Sequence, residues 1–576
     1  MKNLSKKKTP FLNRPYVYIK PEDVPEHGRL VKVLGVDYVH LRTRDGGDLY
    51  VTQHGLPHLT TLSPESWYYN QELHSLWERL NGSGTLYRVR TKNAKKGKID
   101  IVVKWSRVGQ DFPGRDPDVF NESDLSEFNS PFEEVSLLME MRNSRFESPG
   151  HVRTHKPLAI YVPAERVNPD MIGRRTYKIE LKMRSLDVEI DLYRNYVLIY
   201  EWVKGIDAAQ ASRELGLSSE YIKDLTLKVD GDLSAKGFRD HDRKPNHIIV
   251  RPKDSTSLVP CKKSQDPLYA YIDFEMLRRT PEREKWVKES KRAEYLLRQR
   301  DRFKVQKSKE LPSHLDLVNI LGVDYIFGHV ESTEGMLWVV GRDPFLFDYF
   351  LPERWIRTPR TKISHSSEIY HTTTKDDIHI VWKVSRVGEK PVFFEQDEKR
   401  SKILHHGYNS PFEEISLALE LSKQGLPTIY PRAIYRSGNK VTPSEYISDD
   451  RRYDTHKDII MPGDRQRPAL QKGYSYIIIW GYWNGPDELL AVRDGEYYSG
   501  INLMHAHLTK VISQETFDEL MRRENEKLVS MGIEDLNLRA EHFMISLDHK
   551  GNLIAGADGK PEVRCCNFEF LRRLAP

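Results

Sequence analysis

The chain repeats itself over a very long period. Leu-Gly-Val-Asp-Tyr at 34–38 returns at 321–325, and Asn-Ser-Pro-Phe-Glu-Glu at 129–134 returns unchanged at 409–414. Val-Val-Lys-Trp-Ser-Arg-Val-Gly at 102–109 returns as Val-Trp-Lys-Val-Ser-Arg-Val-Gly at 381–388. Ile-Asp-Phe-Glu-Met-Leu-Arg-Arg at 272–279 is matched by Cys-Asn-Phe-Glu-Phe-Leu-Arg-Arg at 566–573. The offsets, between about 275 and 295 residues, are far beyond the roughly 20–50 of a solenoid, so the repeated unit is a whole domain. A chain of 576 residues is in any case too long for one hydrophobic core. The division expected is a basic tail over 1–25, domains over 26–280 and 312–576, and a charged helical linker over 281–311. In that linker, Trp286, Tyr295 and Leu296 leave open a helix that docks instead of standing in solvent.

Composition narrows the class. With 38% hydrophobic and 30% charged residues and no apolar run near the roughly 20 needed to span a bilayer, a soluble protein without membrane partners is expected. The start is basic but lacks the apolar stretch of a secretory signal. Three cysteines, Cys261, Cys565 and Cys566, without Cys-x-x-Cys spacing argue against a disulfide scaffold or zinc site and for a reducing cytoplasm. A net charge of +5, from 89 basic and 84 acidic residues, is too small to argue for nucleic acid.

Within the first repeat, residues 29–52 alternate like strands around a Gly46-Gly47 turn, and a strand pair flanks Gly82-Ser83-Gly84. A short apolar strand ends near Lys104. Pro131–Arg142 reads as a helix capped by Ser130. Two buried strands, 158–162 and 196–203, precede an amphipathic helix around 218–237. This is an α+β order.

The chemistry-bearing residues follow in sequence. Gly82 and Gly84 can bring backbone N–H groups close to phosphates. Lys104, behind an apolar strand, needs a carboxylate partner or an anionic ligand. Glu134 stands on the helix, with Glu133 as the neighbouring alternative. Glu201 and Val203 close a buried strand that breaks at Gly205, where backbone groups can meet an adenine edge. The loop Asp240-His241-Asp242-Arg243-Lys244-Pro245-Asn246-His247 supplies a carboxylate, a lysine two residues on and a metal-ligand candidate five residues on. Asp273 ends a further apolar strand.

This order resembles the protein-kinase-like superfamily. Lys104 looks like the strand lysine and Glu134 like its helix partner. Asp242 and Lys244 look like the Asp-x-Lys-Pro pair of the catalytic loop, and Asp273 like the metal-binding aspartate of Asp-Phe-Gly. His247 stands at the metal-binding asparagine, Asp240 at the usual histidine and Glu275 at the glycine. The resemblance implies two tandem bilobal domains with β-rich N-lobes and trimmed helical C-lobes, like the small lipopolysaccharide-core, RIO or aminoglycoside-phosphotransferase kinases. It further implies ATP held by Gly82, Gly84, Lys104, Glu134, Glu201 and Val203, Mg²⁺ held by Asp273 and His247, and catalysis by Asp242 and Lys244 on an unidentified acceptor, protein or small molecule.

The second repeat keeps Lys383 and Glu414 but carries Asn537 at the Asp242 position, Arg539 at Lys244 and Asn567 at Asp273. Neutral amides neither hold Mg²⁺ by charge nor accept a proton, so this repeat is expected to be a pseudokinase in contact with the first. His542 keeps the His247 position. The alternatives are a double pseudokinase scaffold and a nucleotidyltransferase on the same fold.

Overall fold

In the computed structural model the alternating segment of the first repeat forms three strands, β1 (Arg29–Val33), β2 (Val36–Arg42) and β3 (Asp48–Thr52). The turn at Gly46 (φ 81°) is the one its glycines predict; the other, at Leu34-Gly35 (φ 48° and 79°), places a leucine where side chains are rarely found and is invisible to composition. The structure describes residues 19–69, 77–80, 84–91, 99–110, 128–143, 152–174, 190–261, 266–304, 311–312, 314–364, 367–391, 398–441, 447–462, 467–493, 495–556 and 558–574. Gly82, most of the basic tail and the Lys92–Lys98 tip lie outside them.

The chain divides into two units, Met1–Val287 and Lys288–Pro576. In the first, β4 (Trp77–Arg79), β5 (Leu86–Arg90), β6 (Asp100–Trp105), β7 (Pro157–Val162) and β8 (Val197–Glu201) join β1–β3 in an antiparallel sheet of order β1-β2-β3-β7-β8-β6-β5-β4. The central strands β7 and β8 are apolar on both faces because both faces are covered. Ile160 and Leu198 pack under helix α1 (Pro131–Asn143) with Phe132, Val135 and Leu138, while Tyr161 and Ile199 point the other way, onto Trp67 and Val51. Each such side chain contributes about 1.5–3 kcal/mol by leaving water.

Beyond β8 lie β9 (Ile206–Asp207), helix α2 (Ser219–Ser234), β10 (Phe238–Asp240), β11 (Ile248–Val250), β12 (Tyr269–Tyr271) and β13 (Leu277–Arg279). They form two small sheets, β12-β11-β9 and β10-β13. The α2 start is fixed by Ser218, whose hydroxyl oxygen accepts the Tyr221 N–H. Helix α3 (Pro281–Arg300) follows. Its charged sequence suggests solvation, yet Tyr295 and Leu296 are buried in the second unit, with Tyr295 against Tyr349 and Phe350 at ring-centroid distances of 5.3 and 5.9 Å. The narrow apolar stripe outweighs the average composition, and the docked reading is the one observed.

The second unit opens with β14 (Leu315–Ile320), β15 (Val323–Val330), β16 (Gly335–Val340), β17 (Arg360–Lys362), β18 (Ile369–Thr373) and β19 (His379–Val384). Helix α4 (Pro411–Lys423), β20 (Tyr430–Lys440) and β21 (Tyr474–Gly481) complete its main layer. The sheet order, β14-β15-β16-β20-β21-β19-β18-β17, repeats the first unit strand for strand. Then come β22 (Tyr498–Asn502), helix α5 (Gln514–Ser530), β23 (Ile533–Asp535), β24 (Phe543–Asp548), β25 (Val563–Cys565) and β26 (Leu571–Arg573), in sheets β22-β24-β25 and β23-β26. Among the described residues no helix is long and apolar enough to cross a membrane.

Candidate active site

Lys104 sits on β6 between β5 and β8, its side chain almost wholly buried. Its ammonium lies 2.7 Å from Asp273 Oδ1, 3.0 Å from Glu134 Oε1 and 3.4 Å from Glu275 Oε2. A buried ammonium is tolerable only with such partners. Helix α1 delivers Glu134, because Ser130 caps it in a reciprocal box: the Ser130 hydroxyl accepts the Glu133 N–H, and Glu133 accepts the Ser130 N–H. Glu133 is thus spent on the cap, and Glu134 is the residue that reaches Lys104. Tyr200 donates to Glu134 Oε1 at 2.8 Å.

Burial pushes the Glu134 carboxyl up to about 6 against the pull of Lys104. Burial also acts on Asp273, but Lys104 outweighs it and holds that carboxyl well below the ordinary range. Burial lowers Lys104 in turn, and the Asp273, Glu134 and Glu275 carboxylates more than reverse it. Arg107, 3.2 Å from Glu275, adds a second cation.

The Asp273-Phe274-Glu275 segment is clamped by Asn129, the residue before the α1 cap. Asn129 Nδ2 donates to the Phe274 and Leu277 carbonyls at 3.1 and 3.0 Å, and its N–H donates to the Glu275 carbonyl at 2.8 Å. Asn409 makes the same three bonds in the second unit, at 2.8, 2.8 and 2.9 Å. This accounts for the identical hexapeptides: one asparagine ties the start of the glutamate-bearing helix to the segment carrying the other acids. Asp273 has φ 69°, a left-handed conformation that aspartate tolerates better than most residues.

The loop after β10 is shaped by Asp240. Buried, it accepts the Asp242 N–H and the Tyr271 hydroxyl, each at 2.9 Å, and burial pushes its carboxyl up to about 6. Asp242 faces the Lys244 ammonium at 2.7 Å. His247 Nε2 is 3.5 Å from Asp273 Oδ2, and pairing of Ile248 with Tyr271 sets the loop beside β12, which ends two residues before Asp273. Lys104, Glu134, Asp273 and His247 therefore share one cluster, and Asp242 with Lys244 joins it through Asp240 and Tyr271.

Other candidates stand apart. The Glu201 carboxylate pairs with Lys156 at 3.0 Å and its N–H donates to the Lys156 carbonyl at 2.9 Å. The Trp202 N–H donates to the Asp100 carbonyl at 3.0 Å, and Val203 follows it at this strand end. Gly205, with φ 148°, has no room for a Cβ, which would stand 2.4 Å from the Val250 carbonyl oxygen. Gly84 is half-buried beside the Arg107 stem, with 3.5 Å between that stem and an ideal Cβ.

The second unit retains the ion pair without the acids. Lys383 is 2.8 Å from Glu414 and 3.0 Å from Glu569. Asn567 accepts the Glu569 N–H, Arg539 Nε donates to Asn537 Oδ1 at 3.1 Å, and burial pushes Glu414 up to about 7. Among the described residues, no group of three or more His, Cys, Asp or Glu side chains is placed to hold a metal, His505 and His507 included. Sequence reasoning missed Asn129, Tyr200, Arg107 and Tyr271 as parts of the site. For Asn129 and Arg107 the signal was present in the repeated Asn-Ser-Pro-Phe-Glu-Glu and Ser-Arg-Val-Gly.

No family model matches the chain, and no curated protein matches it. Among solved structures it is similar to the kinase PK-1 of Cydia pomonella granulovirus, with 14% identity, a TM-score of 0.18, and 36% of this chain and 54% of that chain covered. It is also similar to Rv3197 of Mycobacterium tuberculosis in complex with erythromycin, with 12% identity, a TM-score of 0.16, and 46% and 68% covered. The chain spans about half the length of the viral kinase. Likenesses at these TM-scores carry no argument, and the functional reading rests on the site.

Proposed function

We propose that the first unit is an ATP-dependent phosphotransferase of the protein-kinase-like type and that the second is its non-catalytic counterpart. The observation that carries the reading is the cluster of Lys104 with Glu134 and Asp273 beside a loop presenting Asp242 and Lys244. Lys104, braced by Glu134, offers its ammonium to the α/β-phosphates of ATP. Asp242 orients an acceptor hydroxyl and takes its proton as the oxygen attacks the terminal phosphorus. ADP leaves, and Lys244 offsets the charge of the transferring group.

The donor set around Asp273 suits a magnesium ion in part. The carboxylate is an oxygen ligand kept ionised, and three carboxylates outnumber the two cations Lys104 and Arg107. The His247 imidazole is a poorer ligand for this ion than an oxygen. Bound Mg²⁺ supplies charge neutralisation at the phosphates; Asp273 is the residue to hold it.

Asp242→Ala is expected to abolish ATP-dependent phosphorylation while leaving nucleotide affinity within about threefold, a change of under 1 kcal/mol. Unchanged turnover sinks the assignment. The second reading, a nucleotide-binding scaffold, draws on Glu275, which adds a further carboxylate to Lys104 where a nucleotide phosphate must enter. A thermal shift with ATP, with and without Mg²⁺, on the wild type, Lys104→Ala and Asp273→Ala separates the two. Magnesium-dependent stabilisation lost in both variants supports phosphotransfer, and its absence in the wild type favours the scaffold. The mass added to an acceptor distinguishes phosphoryl from nucleotidyl transfer.

A further inference from the structure

The two units place the same loop histidine on different partners, although the backbone around it is the same. The His247 N–H donates to the Lys244 carbonyl at 3.0 Å, and the Ile272 N–H to the His247 carbonyl at 2.9 Å. The matching bonds at His542, with Arg539 and Cys566, are 3.1 and 2.9 Å. Each loop also begins with an aspartate that accepts the N–H two residues on, at 2.9 Å in both cases: Asp240 from Asp242, and Asp535 from Asn537. The side chains then diverge. His542 Nδ1 is 2.8 Å from Asp535 Oδ2. In the first unit Asp240 Oδ2 is already taken by the Tyr271 hydroxyl, and His247 instead stands with Nε2 3.5 Å from Asp273 Oδ2. Its Nδ1 is buried without a hydrogen-bond partner.

Two differences between the repeats bear on the histidine: Asn567 replaces Asp273, and the residue that occupies the loop aspartate changes. The strand residue two before Asp273 is Tyr271, and its counterpart two before Asn567 is Cys565. The Cys565 thiol donates locally, 3.6 Å to the Asn567 carbonyl, and Asp535 Oδ2 meets the histidine instead. We propose that Tyr271, by occupying Asp240, directs His247 onto Asp273, so that His247 is a positioning residue for Asp273 in the first unit while His542 is a brace for the loop in the second. Lys104 holds one oxygen of Asp273 and His247 faces the other, which fixes the plane of the carboxylate. The structural part of this inference stands alone; the consequence for ligand binding rests on the function proposed above.

The test is a residue exchange in the full chain, read by the ring ¹⁵N signals of histidine. In Tyr271→Cys the signals of His247 should take the hydrogen-bonded pattern of His542, as the imidazole moves to Asp240. In Cys565→Tyr, which leaves the first unit untouched and serves if Tyr271→Cys does not fold, His542 should lose that pattern. Unchanged histidine signals in either folded variant overturn the proposal. For function, Tyr271→Cys and His247→Ala should each weaken magnesium-dependent ATP binding roughly 10-fold, the double variant should be no worse than His247→Ala, and metal-free binding should not change. Moved signals without any ATP binding by the wild type would refute the phosphotransferase reading and leave the histidine assignment standing. Moved signals with magnesium-dependent binding intact would refute the positioning role.

Discussion

Replacing Lys104 with methionine keeps the stem of the side chain and removes the ammonium 2.7, 3.0 and 3.4 Å from Asp273, Glu134 and Glu275. The three acids do not suffer equally. The Asp273 side chain is 24% exposed and can regain water, and Glu275 keeps Arg107. Glu134, only 2% exposed, is left with the Tyr200 hydroxyl. Stripping a buried charge of its partner costs about 3–5 kcal/mol, and with one acid bearing most of the loss the lower end applies. At roughly 2–4 °C per kcal/mol for a domain of this size, the melting transition should fall by about 6–12 °C at pH 8.

The sign of the pH dependence follows from the direction of the Glu134 shift. Its folded value, about 6, is above the usual 4.5, so its contribution is complete below 4.5 and is lost as pH rises through 6. Without Lys104 that folded value rises further, and the penalty must therefore shrink at pH 5, where the carboxyl takes up a proton. Calorimetry of the full chain at both pH values, with Lys104→Met/Glu134→Gln as the rescue, checks this. A loss below about 1 kcal/mol at pH 8, or an equal loss at both values, refutes the reasoning.

Asn129→Ala should cost about 1–3 kcal/mol, because it leaves the buried Phe274 carbonyl without its Nδ2 donor, while the Leu277 carbonyl keeps Arg278 Nη1 at 3.2 Å; amide hydrogen exchange over residues 273–277 should accelerate, and an unchanged rate would contradict the clamp. Gly205→Ala brings a Cβ to 2.4 Å from the Val250 oxygen and should cost several kcal/mol, whereas Gly173→Ala (φ 73°, no heavy atom within 4 Å) should cost only about 1–2 kcal/mol; equal melting temperatures for the two would rule out the steric argument. In the second unit Glu414 is raised from 4.5 to about 7, so stability should fall by about 3 kcal/mol as pH rises from 4.5 to 8, and Glu414→Gln should flatten that slope in a denaturant titration.

How much of this was legible beforehand depends on the kind of interaction. The helix at Pro131 announced itself through Ser130 and a proline at its first turn, both local signals. Lys104 and Glu134 were found because a lysine behind an apolar strand needs a counter-charge. Glu275 was legible only as a departure from a motif; that it adds a third carboxylate to Lys104 depends on a turn after β12 that brings its side chain inward. The charged helix α3 misled because composition averages over its faces, whereas Tyr295 and Leu296 are buried on one of them.

The sequence by itself determined the duplication, the α+β order of strands and helices, the positions of the acids and the loss of two of them in the second copy. These depend on residue type and spacing along the chain, which pairwise local chemistry reads directly. Tertiary structure alone decided who partners whom. The Asn129 clamp spans 145 and 148 residues to the carbonyls it holds, and the Lys104–Asp273 pair spans 169. The choice of His247 between Asp240 and Asp273 turns on a tyrosine hydroxyl arriving from another strand. Contacts of that range exist only once β10, β11 and β12 have assembled, and no local propensity encodes which of two nearby carboxylates a side chain will meet.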